Sequence, residues 1–281
     1  MEDLAGIVLA GGRSSRMGAP KAALEWHGST LLRRVTRIVG RTVGGPVVVV
    51  RAPGQELPPL PAAVEIVEDA REGRGPLQGL AAGLAALDGR AQAAYVSSTD
   101  VPLVHPAFVL AVTAALEGSV DVALPIVHGY PQPLAAAYRV TLRPLVEELL
   151  AADRLRPAFL FERCRVRRLD EQALLADRRL AAADPELLSV LNVNEPADIE
   201  AARARPVPAV TVVRFGALRR LPGPARASVQ AATLGAAAAT AGLELGEHVV
   251  AAINGDRIAR DPEMPLADGD EVALLAADAG G

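Results

Sequence analysis

The chain has 281 residues and a formal charge of −4 at pH 7, from 29 Lys and Arg against 33 Asp and Glu. The global basic footprint of a nucleic-acid binder is therefore absent, and with aromatic residues at 3% so are its interleaved stacking platforms. Apolar residues make up 51% without any run of the ~20 that a membrane span needs, and Cys164 is the single cysteine; these exclude disorder, membrane insertion, an intrachain disulfide and a cysteine-based metal cluster.

The opening Met1-Glu2-Asp3 is acidic and leads through one short apolar run into Gly11-Gly12. It lacks the basic segment and apolar core of a secretory leader, so the expected location is cytoplasmic. Over the first 200 residues, β-branched runs alternate with longer helical patterns. Gly6–Ala10, Val47–Val50, Val64–Val67 and Ala94–Ser97 read as strands that mostly lack strict polar alternation, the pattern of a parallel sheet covered on both faces. Between the first two, Leu31, Leu32, Val35, Ile38 and Val39 recur at helical spacing behind Ser29-Thr30, which can cap a helix. Further helices are predicted near Leu80–Leu87 and over Pro106–Leu116, then strands at Val120–Pro125 and Leu134–Tyr138, then a helix at Leu142–Leu150. Residues 151–191, dominated by Arg and Ala, give no clear pattern. The predicted class is α/β, a Rossmann-like domain with a mostly parallel sheet.

Pro206 and Pro208 mark a break. The expected organisation is a domain over 1–202, a linker at 203–208 and a small domain over 209–281. In the latter, a strand at Val210–Phe215, an Ala-rich helix around Val229–Ala241 and strands at Val249–Ile253 and Glu271–Leu275 suit a mixed sheet wrapped on one helix, with Asn254-Gly255 as a turn.

The strongest chemical signal follows the first strand, Leu9-Ala10-Gly11-Gly12-Arg13-Ser14-Ser15-Arg16-Met17-Gly18-Ala19-Pro20-Lys21. Glycines there admit phosphate oxygens to the backbone, successive N–H groups can form an anion nest, and Arg16 and Lys21 supply the charge a departing pyrophosphate requires. The spacing is neither that of a P-loop nor of a dinucleotide fingerprint. The arginines at 163, 165, 167 and 168 have two readings, the solvated face of a strand or part of an anionic-substrate surface. His27, His105, His128 and His248 form no ligand-spaced set.

The loop string resembles the signature of the MobA-like nucleotidyltransferases, among them the molybdenum cofactor guanylyltransferases. Further matches follow in order at Glu68-Asp69, Gly75-Pro76-Leu77-Gln78-Gly79-Leu80, Thr99-Asp100-Val101-Pro102, Gln132-Pro133-Leu134 and Asn192-Val193-Asn194-Glu195-Pro196. The resemblance implies transfer of GMP from GTP to molybdopterin with release of pyrophosphate. It places Leu9, Ala10, Gly11, Gly12, Arg16 and Lys21 around the triphosphate, with Gly75 and Gly79 passing close to base or ribose. Asp69 would be the guanine-reading carboxylate. Asp100 would hold Mg²⁺, with Asn194 a second and weaker contact, Asn192 a further candidate, and the catalytic set being Arg16, Lys21 and Asp100. Gln78 stands where alanine is common in the family, which leaves GTP against CTP open. A related cytidylyl or sugar-phosphate nucleotidyltransferase and a non-catalytic GTP-binding carrier are the alternatives.

The C-terminal segment is similar to the MoaD/ThiS sulfur carriers of ubiquitin-like β-grasp fold, through Val213-Arg214-Phe215, Leu218-Arg219, Ala252-Ile253-Asn254-Gly255, Leu266–Val272 and Gly280-Gly281. The implied partners are the large subunit of molybdopterin synthase and an adenylating, sulfurating enzyme, with Gly281 as the activated carboxylate. Service to a thiamine pathway stays open, and Asp278 departs from the apolar approach usual before the glycine pair.

Overall fold

The computed structural model describes residues 4–11, 20–69, 71, 73–256 and 258–277. They form two compact units, residues 1–24 with 30–199 and residues 25–29 with 200–281. Among the described residues no helix is long and apolar enough to cross a membrane.

The chain runs through β1 (Leu4–Leu9), the two-residue strands β2 (Glu25–Trp26) and β3 (Ser29–Thr30), α1 (Leu31–Val43), β4 (Val47–Arg51), β5 (Val64–Glu68), α2 (Pro76–Ala86), β6 (Ala93–Ser98) and α3 (Pro106–Ala114). Then follow β7 (Val122–Val127), β8 (Tyr130–Pro131), β9 (Ala135–Arg139), α4 (Arg143–Ala151), α5 (Pro157–Phe161), β10 (Val166–Leu169), α6 (Glu171–Leu175), α7 (Arg178–Ala183) and α8 (Pro196–Arg203). The main sheet has the order β10-β7-β9-β6-β1-β4-β5, with β8 paired to β7. β1 pairs in parallel with both β4 and β6, whereas β9 enters antiparallel between β6 and β7.

All six residues of β1 are buried because helices cover both faces of the sheet. Successive side chains alternate sides. Ile7 and Leu9 belong to the core cluster that contains Leu77, Leu80 and Leu84 of α2, whereas a Cβ at Gly6 would meet Val39 of α1 at 2.6 Å. The two helices therefore approach the central strand from opposite faces. Thr30 caps α1 as expected, its hydroxyl accepting from Arg33 N, and left-handed Gly44 ends it.

The sequence places the second helix near Leu80–Leu87, but α2 begins at Pro76, behind a Gly75 N-cap. Proline at the first helical position has no N–H to leave unpaired, and that outweighs the Gly-rich appearance of 75–79. The stretch without clear pattern holds α5, β10, α6 and α7, all of four to six residues and too short to display a period.

Tyr95 is fully buried on β6, in register with Gly6, and its hydroxyl has no hydrogen-bond partner among the described residues. Tyr95→Phe is expected to leave the denaturation midpoint unchanged or to raise it, because the desolvated hydroxyl recovers nothing in the fold. A loss above ~1 kcal/mol in urea titration would show that the hydroxyl is paired.

The second unit contains β11 (Ala209–Arg214), β12 (Arg226–Gln230), α9 (Leu234–Thr240), β13 (Val249–Ile253), β14 (Ile258–Ala259) and β15 (Glu271–Ala276). Its sheet order is β12-β11-β15-β13-β14, with β11 and β15 parallel and the other pairings antiparallel. This is a β-grasp arrangement, and Leu234, Ala237 and Ala238 of α9 share a core with Val210, Val212, Leu266, Val272 and Leu274. The helix expected over Val229–Ala241 is shorter. Val229 and Gln230 lie in β12, whose burial alternates, and Thr233 caps α9 at Ala236 N. Asn254 and Gly255 both have positive φ, the geometry of the predicted tight turn.

Candidate active site

A cavity of about 560 Å³ opens where Leu9, Ala10 and Gly11 leave β1. β4 follows β1 in sequence and lies on one side of it, whereas the later β6 lies on the other. The strand order reverses here, and a crevice at the carboxyl ends of the strands is where open α/β sheets bind ligands. Lys21, Asp69, Gly75, Gly79 and Asp100 also line it. Gly12 and Arg16 lie outside the described residues, as do Gly280 and Gly281.

At one end, Lys21 Nζ donates to Asp100 Oδ2 at 3.0 Å and to Asn194 Oδ1 at 2.8 Å. The partners are 79 and 173 residues away in sequence, and backbone bonds assemble them. Thr99 donates both its N–H and its hydroxyl to the Leu9 carbonyl, which fixes the Asp100 turn at the end of β1. Val193 N then donates to the Asp100 carbonyl at 2.8 Å, delivering the 192–194 segment.

The amides of Asn194 and Glu195 are taken by Asp198 Oδ2 at 2.8 and 2.9 Å. Asp198 thus caps α8 and leaves the Asn194 side chain for Lys21. Those two amides, with the more distant Lys21 ammonium, hold the Asp198 carboxyl below its ordinary value despite some desolvation. Asn192 lines the cavity and donates to the Val190 carbonyl.

Asp100 Oδ1 is buried and finds no donor among the described residues. Asp100 Oδ2 and the Asn194 amide oxygen converge on one ammonium, and a carboxylate oxygen beside an amide oxygen is the hard-donor chemistry that suits a divalent cation. Among the described residues no cluster of three or more His, Cys, Asp or Glu offers an alternative.

At the other end, Asp69 follows β5 and donates its N–H to the Arg51 carbonyl, while its Oδ1 accepts from Arg71 N at 3.0 Å. Burial holds the Asp69 carboxyl above the usual range, with the Arg71 N–H opposing part of that rise. Gly73 and Gly75 both have positive φ and both line the cavity. The intervening Arg74 is tied to the Leu150 carbonyl and Asp153. Gly79 lines the cavity and also meets a packing demand. It is helical, and the place of its missing side chain is taken by Leu9, whose Cδ2 lies 3.2 Å from a Cβ built there.

Three of the four clustered arginines, at 163, 165 and 167, form ion pairs. Arg163 is bidentate to Glu148 and Arg165 to Asp121, while Arg167 reaches Glu117 at 3.9 Å. Burial, then the Asp121 charge, pushes the Cys164 thiol up to about 11, so it is not a thiolate near neutral pH. Sequence reasoning missed Thr99 as the residue that locks the Asp100 turn, and missed Arg51, Gln55 and Arg74 altogether. These three lie between motifs, and no spacing rule marks them.

The family described as MobA-like NTP transferase domain matches residues 6–168, and the ThiS family matches residues 212–281. A probable molybdenum cofactor guanylyltransferase of Bacillus cytotoxicus is 31% identical over 169 residues, which are 59% of this chain and 84% of that protein. One from Bacillus anthracis has the same identity and coverage. The crystal structure of molybdopterin-guanine dinucleotide biosynthesis protein A from Archaeoglobus fulgidus has a similar fold, at a TM-score of 0.54 and 23% identity, covering 71% of this chain and 96% of that one.

Proposed function

The chain belongs to the MobA-like NTP transferase family, and we propose that it transfers the GMP moiety of GTP to molybdopterin with release of pyrophosphate. The observation that carries this reading is one cavity lined at one end by Lys21 and Asp100, with Asn194 bonded to the same ammonium, and at the other by a desolvated carboxylate, Asp69.

An oxygen of the terminal phosphate of molybdopterin attacks the α-phosphorus of GTP, and the bond to the bridging oxygen of the pyrophosphate breaks. The attacking oxygen is already anionic, so no general base is needed. The chain's contribution is positioning and charge stabilisation. Lys21 and Arg16 neutralise the departing pyrophosphate, the backbone at Gly11 and Gly12 admits phosphate oxygens, and Asp69 accepts from N1 and N2 of guanine. Asp100, with Asn194 as the weaker contact, would hold Mg²⁺. When bound, the metal supplies charge neutralisation and orientation of the α-phosphate.

We place this activity in residues 1–202, and assign residues 209–281, beyond a linker at 203–208, a sulfur-carrier role in making molybdopterin. An adenylating enzyme would convert the Gly281 carboxylate to an acyl-adenylate with release of pyrophosphate, sulfide-level sulfur from a donor would displace AMP, and the thiocarboxylate so formed would be used by the large subunit of molybdopterin synthase. After incubation with a cognate activating enzyme, ATP and a sulfur donor, intact-mass analysis should find one oxygen replaced by sulfur at Gly281. An unchanged mass with an activating enzyme proven on its own carrier overturns this half of the assignment.

The transferase half is tested by pyrophosphate release from GTP, CTP and ATP in Mg²⁺, with and without molybdopterin, and mass identification of the product. GTP-selective, acceptor-dependent release is expected. CTP selectivity would move the chain to the cytidylyl branch, and no product with active acceptor would overturn catalysis.

A further inference from the structure

Gln55 lies in the loop after β4, outside every motif of the chain, and carries two hydrogen bonds between strand ends that wall the cavity. Its Nε2 donates to the Ala10 carbonyl at 3.0 Å, and its Oε1 accepts from Ala52 N at 2.9 Å. Ala10 opens the Gly-rich turn, and both alanines line the cavity. The two backbones run close there, since a Cβ at Gly11 would stand 3.3 Å from Ala52 N.

Gln55 is itself held from the base side. The Arg51 guanidinium donates to the Gln55 carbonyl at 3.0 Å and to Glu68 Oε1 at 2.8 Å. The Arg51 carbonyl accepts from Asp69 N at 2.8 Å. Glu68, which belongs to a motif but has no role in the chemistry above, thereby acquires one. The chain Glu68, Arg51, Gln55, Ala10 joins the residue beside the base-reading carboxylate to the first residue of the phosphate turn.

We propose that Gln55 is a positioning residue for the nucleotide triphosphate, its carboxamide fixing the Ala10-Gly11 turn against the end of β4. This rests on the nucleotide reading of the cavity. A primary amide fits the task because it gives one donor and one acceptor at fixed spacing, which no other side chain of that length supplies as a neutral group. Without it the Ala10 carbonyl and the Ala52 amide lose their partners, and the turn is free to leave the geometry that phosphate oxygens require.

The test is Gln55→Met, close in shape and without either bond, beside Gln55→Glu, which retains the acceptor for Ala52 N but sets a carboxylate against the Ala10 carbonyl. Affinity for GTP and for inorganic tripolyphosphate is measured by calorimetry on the full chain, with steady-state kinetics and melting temperature. Both variants are expected to weaken both ligands about tenfold, the loss of one to two hydrogen bonds. The KM for GTP should rise while the KM for molybdopterin and the melting temperature hold, a split that general loosening of the fold would not produce. Wild-type affinity in Gln55→Met overturns the proposal, as does equal loss for nucleotide and acceptor. If the wild-type chain binds GTP and CTP alike and Gln55→Met still weakens both, the guanine reading fails and the positioning role stands. If the wild-type chain binds neither nucleotide nor tripolyphosphate, both fall.

Discussion

Asp100→Asn is expected to lower acceptor-dependent pyrophosphate release by at least ~100-fold while leaving the fold in place, the scale of loss when an electrostatic stabiliser is removed from a preorganised site. The substitution is isosteric, so the backbone bond from Val193 N to the residue 100 carbonyl and the Thr99 lock on Leu9 are untouched. It removes the charge at the point where Oδ2 meets Lys21 at 3.0 Å, with both side chains about one-fifth exposed. An amide there has one oxygen in place of two, and a poorer grip on any hard cation. Oδ1, buried and without a donor among the described residues, argues that little stability depends on the second oxygen. Release that stays at the wild-type rate in limiting Mg²⁺ would falsify the role given to Asp100. A collapse of the melting temperature would instead make the residue structural.

The same residues explain which parts of the site a sequence makes visible. Lys21, Asp100 and Asn194 stand in three separate motifs, and each motif carries its own backbone device: a Gly-rich turn, a strand end and a capped helix start. Local sequence therefore announces them, although nothing in it says that Lys21 bonds the other two. Asp198 is the instructive case. By taking the amides of Asn194 and Glu195 it frees the Asn194 amide group, and the sequence alone leaves Asn194 as readable as a cap. Gln55 and Arg74 work through backbone carbonyls of distant segments, and Arg51 through the carbonyl of Gln55 four residues on. Any residue can supply a carbonyl, so such a bond leaves no trace in residue type. At the level of the fold, the long strands and α1 were legible from burial on two faces and from helical spacing. The short elements of 157–183 bury too few residues each to print a pattern, and β12 was lost because its last residues run into an Ala-rich stretch that favours helix.

Asp69→Asn should cost roughly 100-fold in kcat/KM for GTP, the upper range of the ~1–3 kcal/mol assigned to a bidentate base contact, and should leave ATP turnover nearly unchanged. In the proposed base contact the carboxylate accepts two N–H donors, from N1 and N2 of guanine. The amide can accept only one and sets its own donor against the other, leaving that group desolvated and unpaired. The pH dependence follows from the cause of the Asp69 shift. Burial raises its folded-state pKa above that of the unfolded chain, so protonation is favoured in the fold, and the ionised acceptor is lost as pH falls through a value higher than that of an exposed aspartate. Selectivity for GTP over ATP should therefore begin to fall on acidification while exposed carboxylates are still charged. Stability runs the opposite way at this residue. The ionised form burdens the fold above the folded-state pKa, and the burden lifts as pH drops below it. In Asp69→Asn both responses should vanish, with weak selectivity that no longer varies with acid. The measurement is kcat/KM for GTP and ATP on one enzyme across the acid limb. A variant that keeps the wild-type acid limb would assign the titration to another group and remove Asp69 from base recognition.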